Sequence, residues 1–202
     1  MLNKILVHGK ATTKPSTTKV IVSGSEALRA EYLLNIKNSG PIEESILCYC
    51  YGAAAEWAIK NIDPGTEIIV SGRITNSLGD KEGDSTYILV YLQYFSVSSL
   101  VNEVVLHGRL VRDPMIETVQ INGADRLVSK YRIAVNRDSD NKKADFVNCT
   151  AFDLSAKRAV ENAKKGQEIV VTGILKTSSY SRSGTLKKSI GVIVGLQYFI
   201  TK

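Results

Sequence analysis

The sequence predicts an all-β fold with one short helix per domain, laid out as two tandem five-stranded barrels. Three observations predict it. The chain repeats itself once, each copy alternates apolar and polar residues in the manner of strands, and each copy breaks that alternation with one helical stretch at the same place. The repeat sets the domain count. Leu2-Asn3-Lys4-Ile5-Leu6-Val7-His8-Gly9-Lys10 is matched 99 positions later by Val101-Asn102-Glu103-Val104-Val105-Leu106-His107-Gly108-Arg109, and Tyr32 keeps that spacing with Tyr131. Cys48 pairs with Cys149 at 101 positions, as does Gly65-Thr66-Glu67-Ile68-Ile69-Val70-Ser71-Gly72 with Gly166-Gln167-Glu168-Ile169-Val170-Val171-Thr172-Gly173. Leu92-Gln93-Tyr94-Phe95 returns unchanged as Leu196-Gln197-Tyr198-Phe199 at 104 positions. An offset that grows only between matched blocks marks loops that lengthened after a duplication. Residues 1–98 and 101–202 are therefore read as two domains of ordinary size.

In the second copy, Glu103–Val111, Met115–Ile121, Arg126–Arg137, Ala144–Phe152, Glu168–Tyr180 and Lys187–Ile200 read as strands, by alternation or by β-branched runs. Asn122-Gly123 between two of them is a strong hairpin signal. Asp153 is placed to cap a helix filled by Leu154 to Lys164 and ended by Gly166. The first copy has the matching helix from about Ala53 to Ile62, stopped by Pro64-Gly65. Five strands with one helix between the third and fourth is the order of the oligonucleotide-binding (OB) fold, a partly open Greek-key barrel. Gly9 and Gly108 fall inside the first strands, where a barrel corner needs a sharp bend. With only Val97–Val101 as linker, the two domains are expected to be close neighbours.

Composition narrows the function. The hydrophobic fraction of 44% and charged fraction of 23% are those of an ordinary globular protein. No apolar stretch approaches the roughly 20 residues of a membrane span, and the N-terminus lacks a signal-peptide pattern. Cys48, Cys50 and Cys149 form an odd, sparse set that fits a reducing, cytoplasmic setting. The net charge of +6 is unevenly divided. Residues 1–98 hold 9 Lys and Arg against 10 Asp and Glu, whereas residues 99–202 hold 17 against 10. All the excess positive charge lies in the second half, which suggests a polyanionic partner there. Catalytic signatures are missing: there is no Walker loop, His-Glu-x-x-His, nucleophile elbow or dinucleotide fingerprint. Cys48-x-Cys50 lacks metal-ligand spacing, and both thiols fall on the core side of a strand. His8 and His107 occupy one repeated position, which points to a structural role. Trp57 is read as packing. No enzyme activity, metal or cofactor is expected.

A single strand of nucleic acid binds such barrels through a basic groove with aromatic faces on which bases stack. Alternation sorts the second copy accordingly. Val147, Cys149 and Ala151 form the core side of the third strand, so Phe146, Asn148, Thr150 and Phe152 point outward. Tyr131, Ile133 and Val135 fit the core from the second strand, leaving Lys130 and Arg132 outside. Arg137 ends that strand and Lys176 lies on the fourth. Tyr180 and Arg182 stand at the base of the following loop, with Lys187 and Lys188 across it. The first copy has Glu31, Leu33 and Ser45 where the second has Lys130, Arg132 and Phe146, and keeps Tyr49 and Tyr51 on the outward side. Leu47 on that face favours packing.

The second copy resembles the bacterial single-stranded DNA-binding proteins. The likeness runs through Val104-Val105-Leu106-His107-Gly108-Arg109-Leu110-Val111-Arg112-Asp113-Pro114, Ile133-Ala134-Val135-Asn136-Arg137, Ala144-Asp145-Phe146-Val147-Asn148 and Glu161-Asn162-Ala163-Lys164-Lys165-Gly166, in order across residues 101–199. The resemblance implies stacking roles for Phe146, Phe152 and Tyr180, and a basic role near the strand's path for Lys165. A further aromatic that it implies after the second strand is absent, the stretch reading Asn136-Arg137-Asp138-Ser139. It also implies four barrels per assembly, hence a homodimer of this two-barrel chain. Relatives end in an acidic tail that recruits repair enzymes, whereas this sequence stops at Ile200-Thr201-Lys202, so recruitment by that route is not expected. The expected function is sequence-independent binding and protection of single-stranded DNA in replication, recombination or repair. Two rivals stand beside it: a primosome-like protein-interaction adaptor, and single-stranded RNA binding.

Overall fold

The computed structural model describes residues 1–22, 24–36, 45–78, 81–95, 101–137, 140–182 and 185–200, with the side chains of 78, 81–84, 140–142, 179–182 and 185–188 outside that description. The described chain is mostly strand with two short helices. The first half runs β1 (Asn3–Ala11), β2 (Ser16–Val22), β3 (Ser25–Ile36), β4 (Ser45–Tyr51), α1 (Gly52–Asn61), β5 (Glu67–Leu78) and β6 (Lys81–Phe95). The second runs β7 (Asn102–Leu110), β8 (Met115–Ile121), β9 (Ala124–Arg137), β10 (Asp140–Phe152), α2 (Asp153–Asn162), β11 (Glu168–Arg182) and β12 (Thr185–Ile200). The chain divides into two compact units, one of residues 1–3, 103–176 and 190–202, the other of 4–102 and 177–189. Most of the expected linker lies outside the described residues.

Pairing repeats as the sequence does. In the first half β1 lies antiparallel to β3 and to β5, β5 antiparallel to β6, β6 parallel to β4, and β4 antiparallel to β3. In the second, β7 pairs with β9 and β11, β11 neighbours β12, β12 runs parallel to β10, and β10 pairs with β9. Each of these five strands thus has two partners. The cycle closes over short stretches, Gly9–Ala11 against Leu34–Ile36 and Arg109-Leu110 against Ile133-Ala134. β2 and β8 extend β3 and β9 as hairpins. Between β8 and β9, Asn122 and Gly123 have φ of 52° and 79°, the two left-handed residues that this tight turn demands.

Alternation puts Val104, Leu106, Ile133, Val135, Val147, Cys149, Ile169, Val171 and Val192 inside the second unit, and Ile5, Val7, Leu34, Cys48, Ile68, Val70 and Ile88 inside the first. Burial of each such aliphatic chain stabilises by about 1.5–3 kcal/mol. The helices lay small residues on these interiors, Ala55 and Ala58 from α1, Ala156 and Ala159 from α2. One polar network occurs twice. The Tyr32 hydroxyl donates to Gln93 Oε1 at 2.6 Å, whose Nε2 donates to the Ala54 carbonyl at 2.6 Å. Tyr131 donates to Gln197 at 2.7 Å, and Gln197 to the Ser155 carbonyl at 2.6 Å. Each glutamine ties the last strand to the start of the helix, which accounts for the returning Leu-Gln-Tyr-Phe. His8 and His107 repeat too, their Nε2 atoms 3.3 and 3.6 Å from Glu67 and Glu168.

Two expectations change in detail. Asp153 does not cap α2. The N-cap position is Phe152 without a side-chain capping bond, and Asp153 opens the helix at φ 47° with its carboxylate engaged elsewhere. Gly9 and Gly108 serve close strand approach: a Cβ there would lie 2.5 Å from the Asn35 carbonyl oxygen and 2.4 Å from that of Ala134.

Candidate nucleic-acid interface

β8, β9 and β10 pair side by side in the second unit, so every second side chain projects away from the interior. On β10, Val147, Cys149 and Ala151 are buried, while Phe146 and Asn148 are exposed and Thr150 and Phe152 half-buried. Opposite them on β9, Lys130 stands across from Thr150 and Arg132 across from Asn148. The Phe146 ring, 37% exposed, has the Arg132 guanidinium 5.0 Å from its centroid. The Phe152 ring has the Arg126 guanidinium 5.9 Å from its centroid. Both rings lie on the solvent side of the sheet.

Two cations of this face, Lys130 and Arg126, have internal carboxylate partners. Lys130 Nζ pairs with Glu117 of β8. Arg126 Nε donates to both carboxylate oxygens of Asp153, at 2.7 and 3.0 Å, and its Nη2 donates to Asp153 as well. The hydrogen bond from Arg126 holds the Asp153 carboxyl below its ordinary value, helped by the attraction of the guanidinium and by a bond from the Leu127 backbone. A planar ring under a cation is a surface on which a base can stack, and the cation is one that can turn to a phosphate.

Residues 101–198 match the Single-strand binding protein family. Curated relatives agree. A single-stranded DNA-binding protein of Clostridium perfringens is 34% identical over 95 residues, 46% of this chain and 62% of that protein. One from Fusobacterium nucleatum is 38% identical over 90 residues, 42% of this chain and 56% of its own. A Lactococcus lactis protein, single-stranded DNA-binding protein 1, is 35% identical over 99 residues, covering 47% and 64%. The chain thus spans 56–64% of the length of these relatives. The crystal structure of single-stranded DNA binding protein from Thermus aquaticus superposes with a TM-score of 0.75, covering 100% of this chain and 94% of that one at 21% identity. That likeness is one of fold.

Within the region matched by the single-strand binding family, the expected site residues fall in four groups. Lys130, Arg132, Phe146, Asn148 and Phe152 come together on the β9–β10 face. Lys165 and Lys176 are exposed elsewhere, after α2 and on β11. Arg137 forms an ion pair at 2.9 Å with Asp145, whose carboxylate is fully buried, so its guanidinium neutralises an internal charge. The side chains of Tyr180, Arg182, Lys187 and Lys188 lie outside the described residues. In the first unit the outward reading of Tyr49 is corrected. Tyr49 is 2% exposed, its hydroxyl donates to the Ser77 carbonyl at 2.7 Å, and its ring meets Tyr51 edge-on at 5.7 Å. Tyr51 is half-buried. Trp57 packs on Phe95, ring centroids 5.3 Å apart. Sequence reasoning missed Arg126, Glu117 and Asp153 as members of the face. The period of two that selects Lys130 and Arg132 also selects Arg126.

No helix among the described residues is long and apolar enough to cross a membrane, which says nothing of strands. Among those residues no group of three or more His, Cys, Asp or Glu is gathered to hold a metal ion.

Proposed function

We propose that this chain binds and protects single-stranded DNA without sequence preference, in replication, recombination or repair, and catalyses no reaction. The observation that carries the reading is the pair Phe146 and Phe152 on the solvent side of β10, each beneath an arginine, with the core residues of the same strand facing the other way. Each five-strand cycle is read as an OB barrel, the second as the main binding domain. Lys165 and Lys176 extend the strand's path, and Tyr180, Arg182, Lys187 and Lys188 remain candidate contacts. Tyr51 is the remaining candidate of the first barrel. Exposed Leu92 and Tyr94 on β6, and Leu196, Tyr198 and Ile200 on β12, support association with a second copy into a four-barrel homodimer. A cytoplasmic setting suits a chain whose three cysteines are all free and buried.

Titration of labelled oligo-dT, oligo-U and duplex DNA at several salt concentrations tests this. Tight oligo-dT binding that weakens steeply with salt is expected, because phosphate contacts release counterions. Absence of single-strand binding at low salt overturns the reading in favour of a protein-interaction adaptor, and a preference for oligo-U would move it to RNA.

A further inference from the structure

Asp153 stands at an unusual place. It is one of two non-glycine residues with positive φ among those described, the other being the hairpin residue Asn122. The position that corresponds to it in the first half is Gly52, with φ 54°, which adopts that conformation without a Cβ penalty. An aspartate tolerates it less well. In the described structure its carboxylate is not spent on the helix it opens; it turns back to Arg126, 27 positions earlier, and takes three donated hydrogen bonds from one guanidinium. That guanidinium lies over the face of Phe152. A carboxylate held in this way by arginine offers the same planar pair of acceptors as a phosphate diester.

From this geometry we infer that Asp153 is an internal stand-in for a nucleic-acid phosphate, which keeps Arg126 parked on the Phe152 face until DNA displaces it. The inference rests on the single-strand binding reading of the β9–β10 face and adds a regulator to it. Arg126 and Asp153 are both about half exposed, 44% and 47% by side chain. An ion pair so hydrated is weak enough for a phosphate to replace. When a base stacks on Phe152, Arg126 must leave the ring, and the nearest negative groups along a bound strand are its phosphates. Asp153 is then left facing that strand and repels it. The two stacking positions therefore differ. Arg132 lies over Phe146, whereas the arginine over Phe152 is the one bound to Asp153, so the restraint argued here acts at Phe152. Glu117 on Lys130 acts in the same sense and more loosely, through a single terminal amine.

The test is a double-mutant cycle on oligo-dT binding with the full chain, using wild type, Asp153→Asn, Arg126→Leu and the pair. Asparagine keeps the shape and tolerates positive φ, so Asp153→Asn removes charge with little cost to folding. It is expected to raise the association constant about three- to ten-fold and to steepen the salt dependence by up to about one counterion. In the Arg126→Leu background that gain should vanish. An unchanged or lower affinity in Asp153→Asn overturns the inference. So does a gain that persists at full size without Arg126, which would make Asp153 only a general negative charge. If wild type binds and Asp153→Asn binds no better, this inference alone falls; if neither binds at low salt, the functional reading falls with it.

Discussion

β4 of the first half and β10 of the second hold equivalent places, the one between β3 and β6, the other between β9 and β12. Their inward sides agree: Cys48 and Cys50 in one, Val147, Cys149 and Ala151 in the other, all buried. Their outward sides do not. β10 presents Phe146, Asn148, Thr150 and Phe152 beside Lys130 and Arg132, whereas β4 presents Ser45, Leu47, Tyr49 and Tyr51 beside Glu31 and Leu33. Tyr49 has been drawn under cover by the Ser77 carbonyl. Arg29 and Glu31 form an ion pair at 2.6 Å with both side chains largely covered. A shared strand arrangement constrains what faces inward, because every interior group must be packed and every buried polar atom satisfied. Outward groups answer to their partners, and the two halves have gone separate ways there.

The comparison can be broken most forcefully in the interiors. Leu34→Ala and Ile133→Ala delete matched, fully buried side chains and should each cost about 2–5 kcal/mol in denaturant unfolding. A large cost in one half and a negligible cost in the other would mean that the repeat does not build two equal cores. Next in size is the asymmetry of the outer faces. Phe146→Ala should weaken oligo-dT binding by about 1–3 kcal/mol, the worth of one stacked base, while Tyr51→Ala should change it less than about two-fold. Equal losses would show that the first half binds as well as the second. Smaller is the effect of the shared network. Tyr32→Phe and Tyr131→Phe each remove one hydrogen bond to a glutamine carbonyl, for a cost of about 0.5–1.5 kcal/mol by thermal or chemical unfolding, and the two values should agree. An effect in only one half would mean that the glutamine of the other half finds another donor.

The last expected effect concerns pH and is absent near neutrality. Burial pushes the Cys50 thiol up from its ordinary 9.0 to about 11, against a hydrogen bond from Gln93 that lowers it, and burial raises Cys48 and Cys149 as well. A thiol whose folded pKa is raised stays neutral after the unfolded one has ionised, so the folded state holds more protons. Stability is therefore unaffected below pH 9 and declines as pH rises from about 9 towards 11. At pH 8 the three thiols should resist a thiol reagent in the folded protein and react fully in guanidinium. Fast labelling of the native chain would show that these strands open readily.

Much of this was legible in the residues. The period-two pattern separated Val147, Cys149 and Ala151 from Phe146 and Phe152 correctly, and Asn122-Gly123 marked its turn. Tyr49 was misread because the same pattern says only that a side chain leaves the interior, and its cover comes from Ser77, 28 positions on. Asp153 looked like a helix cap because capping is judged from neighbouring residues, while its carboxylate found an arginine on another strand. Arg137, placed among the candidate binding residues at the end of its strand, is the counterion of a buried Asp145.

By itself the sequence determined the strands and their buried sides, since alternation is a local property of an extended backbone and hydrophobic burial follows from it directly. Only the tertiary structure decided which outward groups meet. Whether Arg126 rests on Phe152 and Asp153, or Lys130 on Glu117, depends on the register and spacing of neighbouring strands. Ion pairs need their atoms within about 4 Å and cation–ring contacts within about 6 Å, so a shift of one residue along a strand would have paired these charges differently.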